Sequence, residues 1–445
     1  MKNRILFALI ILLAWPIKGN TQTPEKEKLD QFLNRLAEKN MAMGSLTMAK
    51  DGMIIYSKAI GYSQINGAVK KPLTEASRFR IASIGKTYTA VMIMQLVEEQ
   101  KLDLNETLDK FFPQVTNASR ITIRQLLQHR SGIPDISRDL DPERNWANGI
   151  TKDEMLDLIA RATPVFEPDT RQSYSNSGYF LLSMILEKLT GKSYTDVLTE
   201  RITSRLGLAD TYVESGFIDV NKNESLSYIF INEEWKQVKE MHPGIAYGAG
   251  QIMSTPADMV RFIQALFDGK LVSEESLNQM KTIRDGEGFG LVTFAFAGKT
   301  FYGHTGGGDN HGSWLAYQPE DRLAVAYTTN AKIYPVVNIV SGAIDIYYKR
   351  EFQIPAFETI SVSQEVLDNY VGIYSSPDAP VRFTISSKDA KLFVQAGNET
   401  PAMIEAVAPD RFQMFGGNVI FEFNTLKRQM IIRRSGGERI FTKED

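Results

Sequence analysis

Residues 87–102 predict a helix whose apolar side chains cover almost its whole circumference. A helix that is apolar nearly all round is buried in a protein core. The tetrad Ser83-Ile84-Gly85-Lys86 stands immediately before this stretch. Residues three positions apart share one face of a helix, so the hydroxyl of Ser83 and the amine of Lys86 are predicted to lie side by side at its first turn.

The chemistry of this pair is that of an activated nucleophile. A serine hydroxyl is a weak nucleophile at its free pKa, and an adjacent amine that has lost its proton through burial accepts the hydroxyl hydrogen as attack begins. The unpaired N–H groups at a helix amino terminus also stabilise the negative charge that develops in acyl transfer. Composition alone supplies about one Ser-x-x-Lys tetrad in a chain of this length, so the tetrad by itself also fits a chance occurrence.

A second polar motif is Tyr174-Ser175-Asn176, in a tight loop before a helix predicted over 179–189 that Gly191 ends. The phenol can pass a proton between nucleophile and leaving group when nearby cations lower its pKa, and the amide can hold a lysine or a substrate carbonyl. Tyrosine and asparagine are also common in loops, so the tripeptide alone says little.

The third motif is His304-Thr305-Gly306-Gly307, between predicted strands at 300–303 and 313–317. Glycines at an edge strand let a ligand approach the backbone closely and leave an N–H group free to donate. Such a donor would complete an oxyanion hole with the N–H of Ser83. The alternative is a glycine-rich hairpin without chemistry.

Taken in this order, the three motifs resemble the serine β-lactamase and penicillin-binding-protein superfamily, and especially its branch of class C β-lactamases, D-aminopeptidases and esterases. Connecting stretches at 79–82, 121–132, 174–191 and 250–262 resemble the same family. The resemblance covers roughly residues 25–350, and three ordered motifs are far more specific than any one of them.

The resemblance implies an acyl-serine mechanism without a metal or another cofactor. Ser83 attacks the carbonyl, Lys86 and Tyr174 share the proton transfers, and Asn176 orients Lys86 and the substrate amide. The backbone N–H groups of Ser83 and Gly307 hold the oxyanion. Water then releases the acyl group, with Tyr174 as the expected base.

One departure from the family pattern concerns the substrate. β-Lactamases and D-Ala-D-Ala carboxypeptidases of this superfamily usually carry lysine where this chain has His304, and its permanent charge attracts a substrate carboxylate. A histidine is mostly neutral at pH 7, so an ester, amide or peptide substrate is favoured. Thr305, Gly306, His311 and Tyr247 are weaker candidates for contact with substrate.

The amino terminus has the layout of a secretory signal peptide over residues 1–22. Lys2 and Arg4 precede an apolar run at 5–15, which is too short to span a membrane, and small and polar residues follow. We therefore expect a periplasmic or secreted protein with no stable membrane span after cleavage. The chain has no cysteine, which excludes disulfides, a lipid-modified cysteine anchor and thiolate metal sites.

The charge balance argues against nucleic acid as a partner. The formal net charge of −3 becomes −6 once Lys2, Arg4 and Lys18 leave with the signal peptide, whereas proteins that bind nucleic acid are usually basic. The expected partner is a small-molecule or peptide substrate, and a cell-wall fragment is one candidate.

The order of the elements predicts an α+β fold. A helix is predicted over 24–40, and strands over 45–49 and 53–60 flank the hairpin signal Asp51-Gly52. Further strands lie near residues 300–329. They predict an antiparallel sheet, flanked by helices and assembled from distant parts of the chain, with an all-helical subdomain between them.

In the last part of the chain the sequence pattern changes to a series of short predicted strands. A first segment at 366–374 is followed by short β patterns up to 439–442, which predict a small antiparallel, lipocalin-like barrel. The predicted organisation is a signal peptide at 1–22, a β-lactamase-like serine hydrolase domain at 23–350, a linker at 351–361 and the barrel at 362–445.

The sequence leaves two alternatives for His129 and two for residues 221–240. Thr122 is predicted to cap a short helix that ends near His129, and this histidine fits a helix cap or a buried hydrogen-bonding group better than a catalyst. Residues 221–240 fit either a lid over the cleft or a β excursion.

The function that these observations favour is a secreted serine hydrolase that acts through an acyl-serine intermediate on an ester, amide or D-amino-acid peptide bond. A β-lactamase or a D-Ala-D-Ala carboxypeptidase is the alternative within the same class. A sensor that is acylated by penicillin or peptidoglycan and does not turn over is the alternative from another class.

Overall fold

The computed structural model describes residues 23–140, 147–308, 310–414, 419–434 and 437–444. The predicted signal peptide at 1–22 lies outside these residues. None of the helices in the described ranges is both long and apolar enough to cross a membrane.

The helices concentrate before, between and after the strands of one large sheet. In chain order they are α1 Pro24–Glu38, α2 Gly85–Glu98, α3 Ile123–Leu127, α4 Lys152–Arg161, α5 Asn176–Thr190, α6 Tyr194–Leu198, α7 Ser204–Leu206, α8 Pro256–Phe267, α9 Glu274–Lys281, α10 Val336–Tyr347 and α11 Gln364–Asp368.

The strands fall into one large sheet, one barrel and three small ladders. In chain order they are β1 Met43–Lys50, β2 Met53–Ile60, β3 Tyr62–Asn66, β4 Val69–Pro72, β5 Phe79–Arg80, β6 Tyr212–Val213, β7 Tyr228–Ile231, β8 Glu234–Gln237, β9 Ile252–Ser254, β10 Val292–Phe296, β11 Lys299–Gly308, β12 His311–Gln318, β13 Leu323–Ala331, β14 Gly372–Ser376, β15 Ala379–Lys388, β16 Lys391–Ala396, β17 Ala402–Ala408, β18 Arg411–Met414, β19 Val419–Asn424, β20 Gln429–Arg434 and β21 Gly437–Lys443.

The large sheet joins the two ends of the catalytic region, as the sequence predicts. Its six antiparallel strands follow the order β10-β11-β12-β13-β1-β2, so β1 near the amino terminus pairs with β13. The β1–β2 turn is Asp51-Gly52, and both residues have positive φ angles, +50° and +81°. That is the backbone of the two-residue hairpin turn for which an Asp-Gly pair is favoured. The α+β class is confirmed.

Helices cover both faces of this sheet. On β13, Val325 and Tyr327 pack with α1 and α10, whereas Ala324 and Ala326 face the opposite core that contains α2 and α8. The alternation follows from the two-residue period of a strand. Helix α2 is buried from Gly85 to Leu96, in agreement with its apolar circumference.

Helices α3 to α7 form the helical part between the strands, and α5 is its centre. The predicted Thr122 cap is present, with a reciprocal pair of hydrogen bonds between Thr122 and Gln125. Helix α5 begins at Asn176, three residues earlier than predicted, and Ser177 and Gly178 are buried in its first turn, where the Ser177 hydroxyl donates to the Pro134 carbonyl. The left-handed Gly191 ends α5 as expected, with φ +66°.

The carboxyl-terminal strands β14 to β21 close into an antiparallel barrel. Its first predicted segment, 366–374, divides between the end of α11 and the start of β14. Packed side chains fill the interior, among them the ring cluster of Tyr370, Phe412 and Phe423. Residues 221–240 contain the hairpin of β7 and β8, whose Asn232 accepts a hydrogen bond from the backbone of Met403 in the barrel. This segment is therefore a β excursion. The domain boundaries given above stay a prediction.

Candidate active site

Ser83 lies where the sequence places it, in a short 3₁₀ turn over Ala82–Ile84 that runs directly into α2. Ala82, the residue before it, has a left-handed backbone with φ +45°, which is uncommon for a residue with a side chain. The turn is fixed by a close neighbour, since a Cβ on Gly250 would lie 3.0 Å from the carbonyl carbon of Ala82. Packing thus holds Ala82 in a strained backbone conformation, directly before Ser83 at the amino terminus of a buried helix.

The amine of Lys86 is completely buried and has three oxygen neighbours. Nζ lies 3.1 Å from Oγ of Ser83, 2.7 Å from Oδ1 of Asn176 and 2.9 Å from the carbonyl oxygen of Ala249. Burial lowers the pKa of Lys86 to about 7, and the carboxylates of Asp135 and Glu287 act in the opposite direction. The amine is therefore a base near neutral pH.

His129 holds the loop that carries Tyr174 and Asn176. Its ring stacks on Tyr174 with centroids 4.3 Å apart, and Nδ1 accepts a hydrogen bond from the backbone N–H of Ser175 at 3.1 Å. Burial, followed by the charge of Lys86, lowers the pKa of His129 well below its usual range, which keeps Nδ1 free to accept. His129 is thus a buried hydrogen-bonding group, one of the two interpretations that its sequence context favours.

The phenol of Tyr174 differs from the sequence-based expectation. Lys86 Nζ lies 4.8 Å from the centre of its ring. Burial raises the pKa of Tyr174, although a hydrogen bond with Ser83 opposes the increase. The sequence-based expectation is that nearby cations lower this pKa, but removal of the phenol from water outweighs the charge of Arg138, which acts in that direction. Lys86 is therefore the group of the two that is unprotonated near neutral pH and available as a base.

Strand β11 brings the third motif alongside Ser83. A Cβ on Gly306 would lie 2.2 Å from the Ile81 carbonyl oxygen, so only glycine allows this close approach. Strand β10 pairs with β11 only up to Gly303. Among the described strands, none pairs with this edge of β11 beyond that point. Gly307 lies on this part of β11 and lines the cleft, and the role of its N–H group as an oxyanion donor stays a prediction.

Both histidines of the glycine-rich hairpin are neutral. Burial lowers the pKa of His304 to about 4 and that of His311 to about 3, and nearby cations act in the same direction. Nδ1 of His304 donates to the Thr305 carbonyl at 2.6 Å. Nε2 of His304 and Nδ1 of His311 are buried without a hydrogen-bond partner among the described residues.

A cleft of about 110 Å³ opens in front of Ser83. Its lining contains both polar and apolar residues. The polar lining residues are Arg80, Ser83, Ser137, Asn176, Glu214 and His311, and the apolar ones include Met241, Pro243, Ile245, Ala246 and Ala249.

Several predicted site residues lie outside this lining. Lys86 and His304 are buried, and Tyr174 is partly buried. Thr305 and Gly306 belong to the strand backbone beside it. Tyr247 points elsewhere, because its hydroxyl donates to Oε1 of Glu187 at 2.6 Å and its ring packs on Tyr194. It therefore supports the helical part and does not contact the cleft.

Three acidic residues of the site are missing from the sequence-based prediction. Asp135 accepts a hydrogen bond from Nδ2 of Asn176 at 3.0 Å. Glu214 forms a buried ion pair with Arg80 at 2.9 Å, and burial raises the pKa of Glu214 to about 7. Burial likewise raises the pKa of Glu287 to about 7, and the charge of Lys86 acts against the increase. The sequence carries a signal only for Asp135, which lies three residues after the stretch at 121–132 that resembles the family.

The arrangement brings the Ser83 hydroxyl, the buried amine of Lys86 and the backbone of Gly307 together around one cleft. Within the described residues, no group of three or more acidic or histidine side chains is placed to hold a metal ion. The geometry suits transfer of an acyl group to a hydroxyl, with the proton passing to an adjacent amine.

Comparison with known proteins gives a family match across most of the chain. The model of the beta-lactamase family matches residues 29–340. The chain is 24% identical over 427 residues to a penicillin-binding protein of Bacillus subtilis strain 168. This alignment covers 90% of this chain and 94% of that protein. It is 26% identical over 267 residues to the teichoic acid D-alanine hydrolase of Staphylococcus aureus strain MRSA252. That alignment covers 59% of this chain and 62% of the hydrolase.

A solved structure agrees with these matches. The D-amino acid amidase of Ochrobactrum anthropi SV3, in complex with D-phenylalanine, superposes with a TM-score of 0.64 and is 27% identical. The alignment covers 72% of this chain and 99% of the amidase. The matching relatives thus include hydrolases of D-aminoacyl compounds as well as a penicillin-binding protein.

Proposed function

Because this chain belongs to the beta-lactamase family and is a serine hydrolase, we propose that it cleaves ester, amide or peptide bonds of D-amino acids through an acyl intermediate on Ser83. The observation that carries the proposal is the buried amine of Lys86, 3.1 Å from the Ser83 hydroxyl and with its pKa lowered to about 7. Such an amine is neutral often enough at physiological pH to act as a general base.

Acylation follows from these positions. Oγ of Ser83 forms a bond to the substrate carbonyl carbon while its proton passes to Lys86 Nζ. The carbonyl oxygen becomes negative and is stabilised by the N–H groups of Ser83 and Gly307. The bond to the leaving alcohol or amine then breaks, and the leaving group takes up a proton that Lys86 supplies, with the neutral phenol of Tyr174 as a relay.

Deacylation reverses these roles. A water molecule loses its proton to Lys86 and attacks the acyl carbon, and the bond to Ser83 Oγ breaks. The proton returns to Ser83, and the carboxylic acid leaves. The assignment of the base to Lys86 differs from the sequence-based expectation for Tyr174, and it is supported by the opposite pKa shifts of these two groups.

The substrate class is inferred from the charge of the cleft and from the relatives. His304 is neutral and occupies the position where penicillin-hydrolysing relatives usually carry a permanent cation, so a substrate carboxylate lacks its usual partner at this position. The named activities of two relatives, hydrolysis of D-alanine on teichoic acid and of D-amino acid amides, need no such carboxylate. The small cleft suits a short acyl group.

The test is a parallel assay with a p-nitrophenyl ester, D-alanine amide, L-alanine amide and the cephalosporin nitrocefin. We expect turnover of the ester or the D-amide that Ser83→Ala abolishes, and a rate with nitrocefin at least about 10²-fold lower. Nitrocefin as the best substrate would instead indicate a β-lactamase. Labelling of Ser83 by a fluorescent penicillin, without turnover of any compound, would indicate a sensor.

We also propose that the protein is exported. The support is the charged start, the apolar run and the polar end of residues 1–22. Mass spectrometry of the protein recovered from the periplasm or medium should find an amino terminus near residues 19–22. An intact Met1 in that fraction would contradict cleavage.

The division into a hydrolase domain at 23–350 and a barrel domain at 362–445 is a further part of the proposal. Between α10 and α11 the described chain has neither helix nor strand, and each side has its own buried cluster. Limited proteolysis should cut first near residues 351–361 and leave two stable fragments. Early cuts within the barrel strands would contradict these boundaries.

A further inference from the structure

The three oxygen neighbours of the Lys86 amine are not equivalent. Oδ1 of Asn176 and the Ala249 carbonyl oxygen only accept hydrogen bonds, whereas the Ser83 hydroxyl both donates and accepts. A neutral amine has two N–H bonds and one lone pair. The two obligate acceptors take both N–H bonds, and the lone pair is left for the hydroxyl hydrogen of Ser83.

This use of the amine depends on which end of the Asn176 amide faces Lys86. The oxygen and nitrogen ends of an amide have nearly the same shape, so shape alone does not select one. A reversed amide would direct its N–H at the Lys86 lone pair and compete with Ser83 for it. Some other group must therefore fix the amide.

The carboxylate of Asp135 supplies that constraint. Its Oδ2 accepts from Nδ2 of Asn176 at 3.0 Å, and Oγ of Ser137 accepts from the same nitrogen at 3.1 Å. Ser137 directs its own hydrogen to Oδ1 of Asp135 at 2.7 Å, so its oxygen is left to accept. A reversed amide would place its oxygen against an ionised carboxylate, which has no hydrogen to offer.

Asp135 is itself held firmly. Its side chain is only 6% exposed, and it also pairs with the surface residue Arg138. The adjoining Pro134 carbonyl accepts hydrogen bonds from the hydroxyls of Ser175 and Ser177 at the start of α5. The loop that carries Asp135 and the first turn of α5 that carries Asn176 therefore keep a fixed separation.

We propose that Asp135 is a positioning residue, which acts through Asn176 to keep the lone pair of the Lys86 amine directed at Ser83. The inference rests on the proposed function, since it requires Ser83 to be the nucleophile. Asp135 does not line the cleft, so contact with substrate does not explain its effect.

The charges around Lys86 give the proposal a second consequence. The ionisable groups that face the amine are the carboxyls of Asp135 and Glu287, the imidazoles of His129 and His304, and the phenols of Tyr174 and Tyr179. Of these, the two carboxylates stabilise the protonated amine. Loss of the Asp135 charge therefore extends the pH range in which Lys86 is neutral to lower pH.

The test uses the full chain and the rate at which a fluorophosphonate labels Ser83, which needs no knowledge of the natural substrate. For Asp135→Asn, which has nearly the same shape, we expect the high-pH plateau of this rate to fall by about 10²-fold. The acid limb of the profile should move to lower pH. The matched control is Asp157→Asn, an exposed carboxylate on α4, which should change the rate by less than about threefold.

A double-mutant cycle separates positioning from a general loss of structure. If Asp135 acts through Asn176, then Asp135→Asn adds less than about threefold to the loss caused by Asn176→Ala. Losses that multiply would overturn the proposal, and so would a labelling profile of Asp135→Asn that matches the wild type.

Two further outcomes complete the design. If Asp135→Asn does not fold, Asp135→Ala is measured in its place, because its side chain accepts no hydrogen bond from Asn176 Nδ2 and the same fall of the plateau is expected. Failure of both variants to fold would identify Asp135 as a residue of the fold only and overturn the proposal. Absence of Ser83 labelling in the wild-type chain would refute the proposed function, whereas normal labelling of both wild type and variant refutes only the role of Asp135.

Discussion

The amine nitrogen of Lys86 lies 2.7 Å from Oδ1 of Asn176, although 90 positions separate the two residues. The nearest polar partners of this buried amine are a neutral amide, a backbone carbonyl and a hydroxyl, and none of them carries a charge. A carboxylate at the same distance would keep the amine protonated. The neutral partners are therefore what allows Lys86 to serve as a base beside Ser83.

The pH dependence of acylation follows from this environment. Because the pKa of Lys86 is lowered to about 7 and the neutral amine is the reactive form, kcat/KM should rise with pH below 7 and level off above it. Below that value the slope should be about tenfold per pH unit. The measurement is kcat/KM for an uncharged ester from pH 5 to 9. A flat profile in this range would contradict the role of the amine.

Glu287 should affect the position of the acid limb in the pH profile of kcat/KM. Its carboxylate stabilises the protonated form of Lys86, so Glu287→Gln is expected to move the acid limb to lower pH by about half a unit. The plateau should change little, because Glu287 makes no hydrogen bond to Ser83 or Lys86. The exposed Glu358→Gln is the control for net charge and should leave the limb in place. A shift of the acid limb to higher pH would contradict the inference that Glu287 stabilises the protonated form of Lys86.

His304 should govern the preference between esters and β-lactams. His304→Lys places a permanent cation near the cleft, and we expect the ratio of β-lactam acylation to ester hydrolysis to rise by at least about tenfold. His304→Gln, which stays neutral, is the matched variant and should leave the ratio unchanged. Equal ratios in both variants would show that this position does not set selectivity.

Gly306 should be required for β11 to lie close beside the turn that carries Ser83. A Cβ there would lie 2.2 Å from the Ile81 oxygen and 3.1 Å from the Cβ of Ala82, so Gly306→Ala has to displace the turn that holds Ser83. We expect a loss of about 1–3 kcal/mol in the free energy of unfolding and a much slower labelling of Ser83. Gly216→Ala, where nothing lies within 4 Å of the new Cβ, should be tolerated. Normal labelling of Gly306→Ala would contradict the close approach.

The sequence predicts those parts of the site that depend on local spacing. Ser83 and Lys86 are three residues apart at the start of a helix, and the helix geometry alone makes them neighbours. The Asp51-Gly52 turn and the Thr122 cap are equally local, and all are present as predicted. Pattern and propensity suffice where the interacting residues are close in the chain.

The remaining parts depend on contacts between distant segments. Asp135, Glu214 and Glu287 are ordinary acidic residues in the sequence, and only the folded chain brings them near Ser83 or Lys86. The direction of the Tyr174 pKa shift has the same origin, because the extent of its burial depends on α2, α5 and β11 together. Tyr247 is the opposite case. The sequence makes it a candidate for contact with substrate, but its hydrogen bond to Glu187 directs its side chain away from the cleft.

The most direct test of this account is mass spectrometry of the protein quenched during turnover of an ester or a D-amino acid amide. We predict an acyl adduct on the peptide that contains Ser83 in the wild-type protein, and its absence from Ser83→Ala together with the loss of activity. Turnover that persists in Ser83→Ala, or an adduct on another residue, would contradict the central claim.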